Sequence, residues 1–216
     1  MSDLKSELTD LASDLGEVGL DALLNEGLAK ELPIIGSVVG IARVAQSVRD
    51  RIFLRDVVRF IREAEKSPRC EREAFLAKVN SDPKGKRRLQ DSVDRFISQT
   101  DDESKVDIFA QLFRAVISGV IEQEIFIRLG LAIRQVYAPD LLVLASSQTG
   151  SSDDNAFLNS ALAGLTIYRD IDRTKPQNKG LITPLWHLSP LGKAFVTAMK
   201  FEAQTTLEQT SSGSQN

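Results

Sequence analysis

The chain has 216 residues, with 27 Lys and Arg against 30 Asp and Glu, one histidine, one cysteine and 6% aromatic residues. That length supplies one sizeable domain or two small ones, and a lone cysteine with a lone histidine excludes internal disulfides and the common Cys/His zinc motifs. The net charge of −3 excludes a globally basic nucleic-acid binder, yet it conceals a polarity. Residues 1–32 carry a net −6 and residues 33–100 a net +6, an opposition that invites contact within one chain or between two.

Leu, Ile, Val and Ala recur at helical spacing almost throughout, which predicts an all-α or nearly all-α multi-helix bundle with a small β-hairpin near the C-terminus. We divide it into an acidic amphipathic arm (1–31), a helical core (32–147), a small C-terminal subdomain (148–203) and a disordered tail (204–216). The arm sets Leu4, Leu8, Leu11, Leu15, Val18 and Ala22 at alternating spacings of four and three. Such a seam pairs helices; packing on the chain's own core is the commoner outcome, with dimerisation as the alternative.

Residues 32–42 hold no charge and read as a helix that is apolar all round, hence buried in a core or against lipid; we favour the core. Gly36 and Gly40 within it form a small-xxx-small pair that admits another helix backbone closely. From Val48 two faces emerge. Phe53, Val57, Phe60, Ile61 and Ala64 make an apolar stripe, and Arg51, Arg55, Arg59 and Arg62 line the opposite side. A charge row on a helix usually just meets water; with the glycine pair it also suits a protein partner or an anionic membrane surface.

Ser67-Pro68 and Ser81-Asp82-Pro83 each read as a helix start, with Ser67 capping the first. The second helix carries Leu89, Val93, Phe96 and Ile97 inside, and Lys84, Lys86, Arg87 and Arg88 in its first turn, where cations oppose the helix dipole. That placement hints at an anionic partner. Thr100 and Glu103 have the spacing of a capping box, ahead of the richest apolar surface in the chain: Val106, Phe109, Leu112, Phe113, Val116, Ile117, Val120 and Ile121. Gly119 and Glu122-Gln123-Glu124 mark a break before the stripe Phe126, Leu129, Ile133, Val136 and Tyr137, and a short helix follows Pro139. Residues 148–155 read as a loop, 156–168 as a helix, 181–188 as a short edge hairpin, and Ser189-Pro190 as the start of a last helix. The tail is rich in Thr, Ser and Gln and is expected to stay disordered.

The run from IFAQLFRAVISG through EIFIRLGLAIRQVYAPDLLVLAS to HLSPLGKAFVTAM, residues 108–199, is similar to the organisation of the abortive-infection alpha-like family of bacterial proteins. The closing order of helix, short helix, GLI segment and SPLGKAF helix start resembles the end of a winged-helix module. The family resemblance implies a bacterial role associated with phage resistance and supplies no catalytic residues.

Enzymatic chemistry finds little support in the residues. His187 beside Trp186 reads as a packed or surface residue rather than a base, Cys70 as a small buried hydrophobe, and Asp170 with Asp172 as a solvated turn rather than an ion site. No phosphate-binding glycine loop is present, since KGKRR lacks the required spacing. We therefore expect a non-enzymatic interaction protein without cofactor or metal. Its expected partner is a protein or a second copy, with peripheral membrane contact open and nucleic acid less favoured. The alternative is a winged-helix DNA-binding regulator using Arg173, Lys175 or Lys179; residues 138–203 carry six acids and six bases, so no net field draws DNA there. The acidic N-terminus does not resemble a signal peptide, and a cytoplasmic location is expected.

Overall fold

A computed structural model of the chain describes residues 48–100, 102–147, 151–152, 154–171 and 184–212. The acidic arm, the apolar stretch with Gly36 and Gly40 expected to be helical, and Arg173, Lys175 and Lys179 lie outside those residues, as does the side chain of Arg51. Eight helices and three short strands are described: α1 Val48–Glu65, α2 Arg69–Ser81, α3 Pro83–Gln99, α4 Glu103–Ile117, α5 Gln123–Gln135, α6 Ala138–Ser146, β1 Ser151–Ser152, α7 Asn155–Asn159, β2 Thr166–Ile171, β3 Pro184–Leu188 and α8 Pro190–Ser212. The fold is mostly helical with a small antiparallel sheet, as the periodicity predicts.

The bundle is built around α4. Ile108, Phe109, Ala110, Leu112, Phe113, Ala115 and Val116 are all buried, so this helix is apolar nearly all round and must be covered on every side. It is packed by α1, α2, α5 and α8. Its phenylalanines collect the rings of their neighbours: Phe96 of α3 stacks on Phe109 at 3.8 Å, Phe126 of α5 on Phe109 at 4.6 Å, and Phe60 of α1 meets Phe113 at 5.0 Å. Emptying such a ring position costs about 3–5 kcal/mol. The helix ends where the sequence break falls, at Gly119 with φ 73°, a left-handed conformation that favours glycine.

Helices α1 and α4 run parallel. Arg59 Nε lies 3.2 Å from Asp107 Oδ1, and one to two turns on, Arg114 Nη1 lies 3.0 Å from Glu63 Oε1. Arg114 is only 4% exposed, so this pair fixes the register of the two helices inside the bundle.

Two predicted caps are placed differently. Ser67 does not cap α2; Pro68 occupies that position, Ser67 Oγ is buried without a partner, and the Ser67 carbonyl accepts from Arg72 Nη1 at 2.6 Å. At α4 the cap is Asp102, accepting from the Ser104 N–H at 2.9 Å, rather than Thr100. Glu103 is drawn off to the arginines of α1 instead of closing a capping box. Cys70 is exposed, not buried: it sits in the first turn of α2, off the Phe75 and Val79 stripe.

The C-terminal segment is continuous with the bundle. Phe157, Leu165, Leu188 and Phe195 belong to the same apolar cluster as Phe109 and Phe126. The helix predicted over 156–168 stops at Asn159. Gly164 adopts φ 74°, Thr166 Oγ1 donates to the Phe157 carbonyl, and the β-branched and aromatic run Thr166-Ile167-Tyr168 pairs as β2. β3 is the central strand of the order β1-β3-β2, not an edge.

The SPLG start of α8 is a docking joint. Ser189 Oγ accepts from the Gly192 N–H at 3.0 Å and donates to the Gly164 carbonyl at 2.6 Å, while the Ser189 N–H donates to Leu165 at 2.9 Å. A Cβ on Gly192 would collide with the Leu165 carbonyl. α8 then continues to Ser212, through residues expected to be disordered. Between Lys200 and Ser212 no Gly or Pro interrupts it, and Glu, Ala, Gln and Leu are good helix formers.

Candidate functional site

The arginine row of α1 is largely spent inside the molecule. Arg55 pairs with Glu103, and Arg59 places Nη1 2.7 Å from Glu103 Oε2 and Nε 3.2 Å from Asp107 Oδ1. Among the described side chains of the row, Arg62 is the exposed one. The row therefore faces the acidic first turn of α4, and the expectation of a free basic face for a partner or a membrane is corrected at Arg55 and Arg59. The Arg59 hydrogen bond holds the Glu103 carboxyl below its ordinary range. Burial instead raises Asp56, which is 2% exposed beside Arg55, against the pull of that guanidinium; burial raises Asp107 likewise.

The four cations opening α3 divide. Lys84 and Arg87 are exposed, Lys86 donates to Asn80 Oδ1 at 2.9 Å, and Arg88 pairs with Glu124 of α5 at 3.0 Å. Arg88 thus helps to clamp α3 against α5, together with Gln123 Nε2, which donates to the Gly85 carbonyl at 2.7 Å.

From that clamp α3 and α5 run parallel and enclose a surface groove. A groove of about 240 Å³ opens over Phe96, Ile127 and Gly130. It continues past Leu131 and Arg134, which line both parts, into a recess of about 290 Å³ at Gln99, Thr100 and Lys105. Gly130 sets the floor: a Cβ there would stand 2.9 Å from Phe109 Cε2, so its absence lets the ring lie against the α5 backbone.

The walls are basic. Arg88, Arg95, Arg134 and Lys105 line the two parts, with Asp91 the one acid among them. Arg88 is compensated by Glu124, and Lys105 Nζ donates to the Arg134 carbonyl at 3.1 Å, at the C-terminal end of α5 where a cation is favourable. Arg95 and Arg134 make no ion pair among the described residues. Between them Leu131 stays 50% exposed, and the buried Thr100 Oγ1 in the recess has no hydrogen-bond partner. Two uncompensated guanidiniums flanking an exposed leucine suit a segment that offers carboxylates beside apolar side chains.

Reading the sequence by stripes does not reach Arg95 or Arg134. The signal was Leu131, which falls off the Phe126, Leu129 and Ile133 stripe and leaves an apolar side chain one turn before an arginine. His187 lies half-buried on β3, opposite Ile167 and Ser151. Among the described residues no group of three or more His, Cys, Asp or Glu is placed to hold a metal ion, and no helix is long and apolar enough to cross a membrane. No family model, curated protein or solved structure matches the chain.

Proposed function

We propose that the protein is a non-enzymatic helical interaction protein that seats an acidic, partly apolar segment of a partner protein in the α3–α5 groove. Bacterial phage defence, which the resemblance of residues 108–199 implies, is the setting we propose for it. The observation that carries this reading is the pairing of uncompensated Arg95 and Arg134 with half-exposed Leu131. Interface cores favour arginine anchors against apolar surface, and opposite charge on the partner gives orientation. Asp91 in the same wall would repel the dense charge of a nucleic-acid backbone. Carboxylates spaced along a polypeptide can avoid it.

The sheet order β1-β3-β2 favours the winged-helix reading. Against it, residues 160–165 between α7 and β2 form a tight turn with no second helix to enter a major groove. The partner-binding reading is tested by fluorescence anisotropy of a labelled Glu/Leu peptide against the full chain at low salt. Arg95→Glu with Arg134→Glu should weaken binding at least about tenfold, the scale of one lost charge-assisted contact. Unchanged binding in that variant would refute it.

A further inference from the structure

The α3–α5 groove and the acidic arm carry opposite charge in the same chain. Residues 1–32 have eight acids against two lysines. Their order is as informative as their number: Glu7, Asp10, Asp14 and Glu17 each immediately precede an apolar residue of the seam, Leu8, Leu11, Leu15 and Val18. On a helical period this sets a stripe of carboxylates beside a stripe of leucines. The groove offers the complement, with Leu131 and Ile127 flanked by Arg95 and Arg134.

The chain also enters the described body at the right end. Because α1 and α4 are parallel, with Arg55 opposite Glu103 and Arg59 opposite Asp107, the seven residues back to Val48 carry α1 about 10 Å past the start of α4. The Thr100 and Lys105 recess lies at that start. Residues 33–47 then separate the arm from α1; with 33–42 helical as the sequence reads and 43–47 extended, they reach about 30 Å. A groove bounded by Arg88 and Arg95, two turns apart, is about 10 Å long and well within reach. The α1 arginines are a poorer destination, since Glu103 and Asp107 already hold Arg55 and Arg59.

We propose that a stretch of about two turns within residues 1–31 of the same chain, around Leu11 and Leu15, occupies the α3–α5 groove, leucines on Leu131 and carboxylates on Arg95 and Arg134, and that a partner's acidic segment must displace it. The proposal rests on the partner-binding reading of that groove. It makes the arm an internal competitor that sets the threshold for partner engagement.

The test uses the full chain with Cys70→Ser. Cysteines at Leu11→Cys or Leu15→Cys are paired with Leu131→Cys, and Leu11→Cys is paired with Lys78→Cys on the exposed side of α2 as control. A short bismaleimide should link both Leu131 pairs within one chain, independent of protein concentration and faster than the control. Adding Arg95→Glu and Arg134→Glu should slow that linking at least about tenfold. In a second measurement, Asp10→Asn, Asp14→Asn and Glu17→Gln together should raise the affinity for the labelled Glu/Leu peptide about tenfold, as expected when a competing contact is removed. Linking no faster than the control, linking only between chains, or an unchanged peptide affinity would overturn the proposal. Peptide binding that needs Arg95 and Arg134 without any arm linking would sink the arm and leave the partner reading standing. Arm linking with no peptide binding in any variant would sink the partner reading alone.

Discussion

Arginines sit at helical spacing on both α1 and the α3–α5 pair, yet the two groups have opposite fates. On α1 the row looks across at the first turn of α4, where Glu103 and Asp107 take up Arg55 and Arg59. Across the α3–α5 groove no acid among the described residues takes up Arg95 or Arg134. A row of cations is thus taken up as a register device or left without an ion pair according to what the neighbouring helix presents, and nothing in the row itself decides which.

If the α1 contacts are register devices, breaking them should cost stability and leave peptide binding alone. The largest effect is expected at Glu63→Ala, which strips the carboxylate from buried Arg114 and should cost roughly 3 kcal/mol in urea unfolding. A loss below that of a typical surface substitution would show that the pair does not hold α1 to α4. Next, Gly130→Val forces a side chain into the space of the Phe109 ring and should cost about 1–3 kcal/mol, with a matching loss of peptide binding as the groove floor shifts.

Glu103→Gln should cost less, on the order of 1 kcal/mol, because the bridge to Arg55 and Arg59 is half open to water. Its pH dependence has a definite sign. The Glu103 carboxyl is held below its ordinary range, so its contribution is complete above about pH 4.5 and is lost as pH falls through the lowered folded value. The deficit of Glu103→Gln should shrink on acidification. Asp56 behaves oppositely: burial raises it, so its ionisation subtracts stability once pH climbs above about 4. Asp56→Asn should gain on the wild type across that rise, and parallel pH profiles for the two variants would contradict the assignment. Smallest of all, Arg95→Ala with Arg134→Ala should change stability by no more than about 0.5 kcal/mol while abolishing most peptide binding.

The helices and their inner faces were legible because period 3.6 fixes which residues turn inward, as Val57, Phe60 and Ile61 or Leu89, Val93 and Phe96 do. The SPLG start of α8 was legible as a cap, but not as the joint that docks α8 on Gly164 and Leu165, because that partner lies 25 residues away in sequence. The strand at 166–171 reads as the end of a helix in the sequence, because the apolar residues before it keep a helical spacing that the Gly164 turn interrupts. The groove was the least legible. Its walls come from two helices whose alignment depends on Gln123 meeting Gly85 and on Phe109 meeting Gly130, and pairings between distant residues leave no mark in either stripe alone.

In the function proposed above, the arginines of the groove, not those of α1, meet an acidic partner. The most direct measurement compares the labelled Glu/Leu peptide on two full-length variants side by side, Arg55→Ala with Arg59→Ala and Arg95→Ala with Arg134→Ala, at a temperature where both are folded by circular dichroism. The first should bind with wild-type affinity and the second should lose about tenfold or more. Equal affinity for both, or loss in the first alone, would contradict the proposed function.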